Sequence, residues 1–445
     1  MRSKTPTFKL KSEGESVSIA GTQEHVSTPM TIQALEESRQ VVKERMARLR
    51  ANSIGYDRVS NLAHYLDLPM LLDATRRLRL SAAPGVDYVR PTWYLQHPIE
   101  NSKTLIAEVK QETYQPRPAR RVAIPKDDGS QRYLGLPSMR DKHLQCAVAG
   151  LMEAIYEPHF HTCSYGFRPG RSAQMALTAL RTWVSARNGA WILEVDLAKF
   201  FDTIPHEELL ATLAEKINDR TILSLVRAWL TAGVKVEDKV EPTLTGTPQG
   251  GVVSPILANV YLHKVLDTWA ISTLLPECQG EGTLVRYADD FVLAFENEDD
   301  CSRARQATTA RLEEFGLTVN PAKTKVIDFR CPENTPAVHP EGREINLLGF
   351  TLYWTPCPVS GWTVGTRTSE KSLKRFADRL STWMLDQDVM EDDTLSKAAL
   401  KLAGHLGYFG IPGNEDGVTR AKEISSSLLM PWGHLSVDDV CESPH

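Results

Sequence analysis

No apolar run in this chain approaches the roughly 20 residues that a membrane-spanning helix requires, so no membrane partner is expected. The segment from Met1 to Ser18 is polar and has no signal-peptide core, from which a cytoplasmic location is expected. Cysteine is sparse and scattered, at Cys146, Cys163, Cys278, Cys301, Cys331, Cys357 and Cys441. There is no C-x-x-C pair and no histidine partner at zinc spacing, which excludes a disulfide framework and a zinc centre of the usual pattern. Excess positive charge is lacking too. The formal net charge is −5, which excludes a protein coated in basic surface. Internal repeats are absent, and low-complexity composition is confined to residues 1–26, rich in Ser, Thr, Glu and Lys and expected to be a disordered tail.

What remains is the composition of a soluble globular protein, 42% hydrophobic and 24% charged over 445 residues, long enough for two or three sub-domains. Its charge is uneven. From Arg76 to Lys142 there are 13 Lys and Arg against 7 Asp and Glu, whereas from Thr366 onward there are 9 against 13. A basic stretch in an acidic chain suggests one surface that faces a polyanion.

Helix signals open at Ser27-Thr28-Pro29, with an amphipathic run to about Leu49, and a second helical stretch is expected over Asn61 to Leu80. Arg121 to Pro125, Asp127-Asp128-Gly129 and Gln131 to Leu136 spell a β-hairpin. Asp141 to Ile155 carries a helical apolar stripe.

Three stretches carry chemistry. In Arg286-Tyr287-Ala288-Asp289-Asp290-Phe291, two adjacent acids lie between apolar runs that read as the strands of a hairpin. Carboxylates held that close repel, and a hard divalent cation such as Mg2+ would relieve them; the bland alternative is an acidic turn facing water. A second β-rich run, from Trp191, ends at Asp196. If these strands pair, three carboxylates converge where two divalent ions could sit about 3.5–4 Å apart, the arrangement used for in-line phosphoryl transfer. The alternative for Asp196 is a helix N-cap, and for Asp202 a cap or salt-bridge role is preferred. The third stretch, Gly246 to Pro255, is a glycine-rich loop leading into a helical run from Ile256 to Leu266, able to approach a nucleotide closely or to serve as an ordinary connector.

Taken in order, these stretches have company: Ala83-Pro84-Gly85-Val86-Asp87, Ile124-Pro125-Lys126 with Arg132, and Tyr165 to Ser172. Then come Asp196 with Phe200-Phe201-Asp202, Pro248-Gln249-Gly250 with Ser254-Pro255, and Tyr287-Ala288-Asp289-Asp290. Gly316-Leu317 with Asn320 and Lys323-Thr324-Lys325 follows, then Leu348-Gly349-Phe350. The ordered set, over roughly residues 60–355, resembles the reverse transcriptases encoded by bacterial group II introns.

The resemblance implies an α+β fold: a right-hand polymerase with fingers, a palm of antiparallel sheet backed by helices, and an α-helical thumb. Residues 27–82 would form a helical N-terminal extension, 83–185 the fingers with part of the palm, 186–355 the palm, and 356–445 the thumb with a degenerate maturase-like segment. It implies Asp196, Asp289 and Asp290 as catalytic ligands of two Mg2+ ions, with Mn2+ the alternative. Lys126 and Arg132 would contact the incoming triphosphate. Phe201 would exclude a 2′-hydroxyl, and Gln249 and Gly250 would pack on the new base pair. Leu348 and Gly349 would grip the primer. Arg117, Arg120 and Arg121 are candidates for template or triphosphate contact, with a solvated role the alternative for some of them. Lys371 and Arg375, on a helix expected over Thr368 to Leu385, are candidates for the primer–template backbone. The implied partners are an RNA template with a DNA primer, dNTPs and, as a further candidate, intron RNA; oligomeric state is not legible.

Three departures bear on biology. The chain is acidic where intron-binding proteins are basic. Tyr133 stands where the family usually has proline. In Leu402 to Phe409, Ala403 and His405 stand where the maturase segment usually has Arg and Trp, and no Cys/His cluster of an endonuclease domain follows. The expected role is that of an intron-encoded reverse transcriptase that assists splicing and retrohoming; the alternatives are a free-standing relative with a host role in phage defence or DNA repair, and a non-catalytic RNA-binding splicing factor.

Overall fold

The computed structural model describes residues 32–125, 131–332, 343–357, 361–387 and 392–429. At its centre is a four-stranded antiparallel sheet in the order Lys325–Asp328, Trp191–Val195, Asp290–Phe295, Gly282–Tyr287. The two middle strands are largely apolar on both faces because both faces are covered, with Glu194 and Asp290 as their charged exceptions. Leu193, Val195, Phe291, Leu293 and Phe295 point into one core with the helix Met139–Tyr156 and its neighbours. Ile192, Val292, Ala294 and Ile327 point into a second core with the helix Ala173–Ala186. Period-two geometry thus divides one apolar run between two cores.

The helix Met139–Tyr156 starts where Ser138 accepts a hydrogen bond from the Asp141 amide, and it is buried along nearly its whole length. Ahead of it, Ala119–Pro125 pairs antiparallel with Gln131–Leu136, as the hairpin signal predicts; the turn between them lies outside the described residues. That hairpin gains two strands the sequence reading missed, Val234–Val236, parallel to Ala119–Pro125, and Lys239–Glu241. A third sheet comprises Ile345–Leu347, Phe350–Cys357 and Gly361–Thr368. Three helices follow, Glu370–Leu385, Asp392–Phe409 and Glu415–Leu429, packed through Leu373, Leu402 and Ala421 and through Leu380, Met384, Ala398 and Leu429. The first of them begins at its Ser369 cap, the helix expected over Thr368 to Leu385.

Two expectations near the N-terminus need correction. The first helix runs Ile32–Gly55, beyond Leu49, while its expected start at Ser27 to Pro29 lies outside the described residues. The stretch Asn61 to Leu80 is not one helix. Only Leu68–Thr75 is α-helical, preceded by a 3-10 turn at Ala63–Tyr65. Asp67 caps the helix through the Met70 amide and Pro69 occupies its first turn, so helix starts here rather than continuing through. Upstream, the Leu62 and Ala63 amides donate to the Asp219 carboxylate, 157 and 156 residues away in the chain. Tertiary contacts override the apolar spacing. Among the described residues no helix is long and apolar enough to cross a membrane.

Candidate active site

The register of the central sheet assembles the acids. Val195 pairs with Phe291, so one step further along the ladder Asp196 emerges beside Asp290. Tyr287 pairs with Asp290, which leaves Ala288 and Asp289 as a two-residue turn. Ala288 sits in the left-handed region at φ 58°, a conformation that an L-residue adopts only when its surroundings compel it. Gly166 supplies that compulsion: a Cβ at position 166 would lie 2.3 Å from the Ala288 nitrogen, so two backbones meet there with no room for a side chain. Gly166→Ala is therefore expected to destabilise the protein by about 1–3 kcal/mol, the usual cost of overpacking, read from denaturant or thermal unfolding. An unchanged midpoint would mean that the turn does not rest on this glycine.

The loop that leads into the neighbouring strand Lys325–Asp328 holds Asp196. The Asn320 amide donates to the Asp196 carbonyl at 2.7 Å, Asn320 Nδ2 donates to its carboxylate at 3.1 Å, and Lys323 Nζ lies 3.5 Å from the same oxygen. These partners are 124 and more residues away in sequence. Asp196 is not the N-cap of the following short helix, a position that Lys199 takes. Burial raises the Asp289 carboxyl above the usual range, with the Asp196 charge adding to it. Asp290 keeps contact with solvent at the cleft face. Its carboxyl is nonetheless pushed up to about 6, first by desolvation and then by the charges of Asp289 and Asp196.

Such a set of hard oxygen donors, each made worse by its neighbours, fits divalent cations. Among the described residues no three His, Cys, Asp or Glu side chains close into a metal cage by themselves. The fit rests on the chemistry of the donors, since Mg2+ takes hard oxygen ligands, commonly one or two carboxylates with phosphates and water completing the shell.

Other expected residues fall around this centre. Arg132, exposed on Gln131–Leu136, is close enough for its charge to favour the ionised forms of Asp289, Asp290 and Asp202. Lys126 lies outside the described residues. Phe200 is core, at 2% exposure, while Phe201 is only half-buried, the two rings meeting edge to face at 5.3 Å. The Thr247 amide donates to the Phe201 carbonyl at 2.6 Å, which ties the glycine-rich loop to the aromatic. The Gln249 carbonyl accepts from the Gly135 amide at 2.8 Å, bringing Gln249 and Gly250 against the Gln131–Leu136 strand. Gln249 Nε2 also donates to Asp202 at 3.3 Å. Asp202 thus receives the loop glutamine; no side-chain cap or ion pair of Asp202 is found among the described residues, contrary to expectation.

The three candidate template arginines are not equivalent. Arg117 pairs with Asp87, and the Arg120 guanidinium donates twice to the Pro84 carbonyl. Both brace the Ala83 to Asp87 turn. Arg121 instead pairs with Glu241 at 3.2 Å and stacks over Tyr133 at 4.9 Å. It lines a 280 Å³ groove together with Tyr133, Leu244, Asp202 and Gln249.

A larger cleft of 660 Å³ opens beside the acids, lined by Tyr287, Asp290, Leu348, Gly349, Arg375 and Tyr408 among others. Leu348 and Gly349 form the turn before Phe350–Cys357, both at positive φ. The turn is held from the C-terminal helices: the Ser369 amide donates to the Gly349 carbonyl at 2.9 Å, and Tyr408 Oη donates to the Leu348 carbonyl at 3.0 Å. A Cβ on Gly349 would meet Ser372 Oγ at 2.9 Å and the Phe409 ring at 3.2 Å. Lys371 is exposed at the start of its helix and does not line this cleft. Tyr408 was missed as a site residue; its sequence signal was the aromatic pair ending the maturase-like segment.

Comparison with known proteins agrees with this geometry. A family model described as reverse transcriptase (RNA-dependent DNA polymerase) matches residues 124–352, just over half of the chain. The chain is 33% identical over 305 residues to protein YkfC of Escherichia coli K12, covering 60% of this chain and 80% of that protein. It is 42% identical over 168 residues to the group II intron-encoded protein LtrA of Lactococcus lactis, covering 37% of this chain and 28% of LtrA. It is 38% identical over 221 residues to an uncharacterized 91 kDa protein in the cob intron of Schizosaccharomyces pombe, 50% of this chain and 27% of that one. The matches to the last two thus span little more than a quarter of each relative. A reverse transcriptase domain implies a right-hand polymerase fold, and the mixed helices and sheets described above are compatible with it. The chain belongs to the reverse transcriptase family and is of the kind whose relatives are encoded by group II introns.

Proposed function

We propose that the protein is an RNA-directed DNA polymerase that adds dNTPs to a primer on an RNA template. The observation that carries this reading is the meeting of Asp196, Asp289 and Asp290 at one end of the central sheet, with Arg132 and Phe201 beside them. In it, residues 186–355 act as palm and 83–185 as fingers with part of the palm. Residues 27–82 act as a helical N-terminal extension, and 356–445 as the thumb with the maturase-like segment.

Arg132, with Lys126, takes the triphosphate of the incoming nucleotide; a forked guanidinium suits a polyanion. Phe201 lies under the sugar, and Gln249 with Gly250 backs the new base pair. Leu348, Gly349 and Arg375 hold the primer end in the 660 Å³ cleft. The primer 3′-oxygen then attacks the α-phosphorus in line and pyrophosphate leaves. Asp196, Asp289 and Asp290 would hold two Mg2+ ions, which when bound acidify the 3′-hydroxyl and neutralise charge on the transferring phosphate.

For biological role, the net charge of −5 and the acidic C-terminal stretch favour a free-standing enzyme with a host role over one that grips a large intron RNA. Intron RNA domains flanking the gene would reverse that preference. The activity is tested by incubating purified protein with Mg2+, dNTPs and a DNA primer annealed to RNA. Template-directed extension is expected, and its absence, with binding of the duplex retained, would favour the non-catalytic splicing reading.

A further inference from the structure

Directly beneath the catalytic turn lies an ion pair that the chemistry above does not use. Arg286 and Asp267 are both at 0% side-chain exposure. Arg286 Nε and Nη2 donate to the two oxygens of Asp267 at 2.7 and 2.5 Å. Nη1 donates to Asn259 Oδ1 and to the Ala288 carbonyl, each at 2.9 Å, and Nη2 donates also to Ser164 Oγ at 2.7 Å. A guanidinium has five N–H donors, and here each has its acceptor. Asn259 in turn donates through Nδ2 to the Gly166 carbonyl at 2.7 Å, and Gly166 is the residue pressed against Ala288. Asp267 itself sits in the π-helical stretch His263–Thr268, a wide turn of a kind often found at functional sites.

A buried ion pair is a poor source of stability. Well-packed apolar residues of similar volume commonly serve as well or better. This one converges on a single place, the turn that carries Asp289 and Asp290. Those acids repel each other and Asp196, and the turn has a non-glycine residue at positive φ, so left alone it would splay. The Ala288 carbonyl is gripped by the guanidinium on one side while the Ala288 nitrogen is stopped by Gly166 on the other.

We propose that Arg286, oriented by Asp267 and Asn259, is the positioning residue that sets the height and direction of the catalytic turn. The residue touches no substrate. Its part in nucleotide transfer rests on the polymerase reading, because it acts through the placement of Asp289 and Asp290.

The test replaces the pair by apolar side chains, Arg286→Met with Asp267→Leu, and reads three quantities. If the pair were only structural, this variant would fold and behave as wild type. As a positioning device, its loss should leave a cooperative unfolding transition but speed amide exchange in a peptide spanning 286–291 by about 10-fold or more, with the helix Met139–Tyr156 unchanged. In primer extension, kcat should fall about 10-fold or more while KM for dNTP stays within about 3-fold, since a misplaced reacting group costs rate rather than uniform binding. A folded variant with wild-type exchange at the turn and wild-type kcat overturns the proposal, as does a rise in KM alone. If the double variant fails to fold, Asn259→Leu decides by the same readouts, because it removes one acceptor of Arg286 and the donor to Gly166. Failure of wild-type protein to extend primers would count against the polymerase reading only. The exchange measurement still tests the positioning.

Discussion

Asp289→Asn is expected to abolish primer extension, a loss of about 10³-fold or more, equal to about 4 kcal/mol of transition-state stabilisation. The substitution keeps the size and hydrogen-bonding shape of the side chain but removes one of the charges that would hold a cation. Stability should move the other way. The Asp290 carboxyl is held near 6, above its ordinary value, by desolvation and by the neighbouring acids. A group raised in the folded state contributes stability below its unfolded value and loses it as pH rises through the folded value. Wild-type protein without metal therefore carries a penalty at pH 7.5 that is absent near pH 4. Removing the Asp289 charge relieves part of it, so Tm at pH 7.5 should rise or hold. The gain is at most about 1 kcal/mol, because Asp290 stays in contact with screening water. Adding Mg2+ should raise the Tm of wild type and leave that of Asp289→Asn nearly unchanged, since a ligand stabilises only the form that binds it. Retained extension by the variant would remove Asp289 from the metal site.

Phe201→Val should cost little dNTP incorporation but should raise ribonucleotide incorporation relative to dNTP by about 100-fold, within the 1–3 kcal/mol that a shape-based pocket contributes. Phe200 and Phe201 adjoin in sequence, yet only one is available for this. Phe200 is enclosed in the core. Phe201 is half-exposed, and its backbone is fixed by Thr247 in the loop that also carries Gln249. A ring on a fixed backbone and packed edge to face on the buried Phe200 ring can exclude a hydroxyl by contact, whereas a free one would swing aside. The measurement is the ratio of kcat/KM for a dNTP and the matching rNTP. An unchanged ratio would mean that the ring does not meet the sugar.

The hairpin that carries Asp289 and Asp290 was legible because two apolar runs flank a pair of acids, and the helix Met139–Tyr156 because its apolar residues recur at helical spacing. Other parts of the site depend on contacts that local pattern does not encode. Asn320 and Lys323 reach Asp196 from the loop ahead of Lys325–Asp328, a strand whose place beside Trp191–Val195 no periodicity reveals. The strands Val234–Val236 and Lys239–Glu241 are only three residues each and carry as many charged residues as apolar ones, and only pairing with the hairpin ahead of them makes them strands. Counting positive charge could not separate Arg117 and Arg120, committed to Asp87 and the Pro84 carbonyl, from Arg121, which faces a groove. Arg286 lies three residues before Asp289, and nothing in the local pattern marks an arginine there for burial. In the structure it is fully buried.

The order of the central sheet also governs how the molecule is made. Trp191–Val195 lies between a strand about 100 residues later and another later still, Lys325–Asp328. On the ribosome, the strand that leads to Asp196 must wait with both edges open while those residues are synthesised. At about 5–20 residues per second that wait lasts several seconds or more, with an apolar strand lacking its partners throughout. Pairings so distant in sequence also close slowly once the chain is free. A nascent chain that stops before residue 325 would therefore present an unpaired sheet edge, and this protein should depend on chaperones during its synthesis.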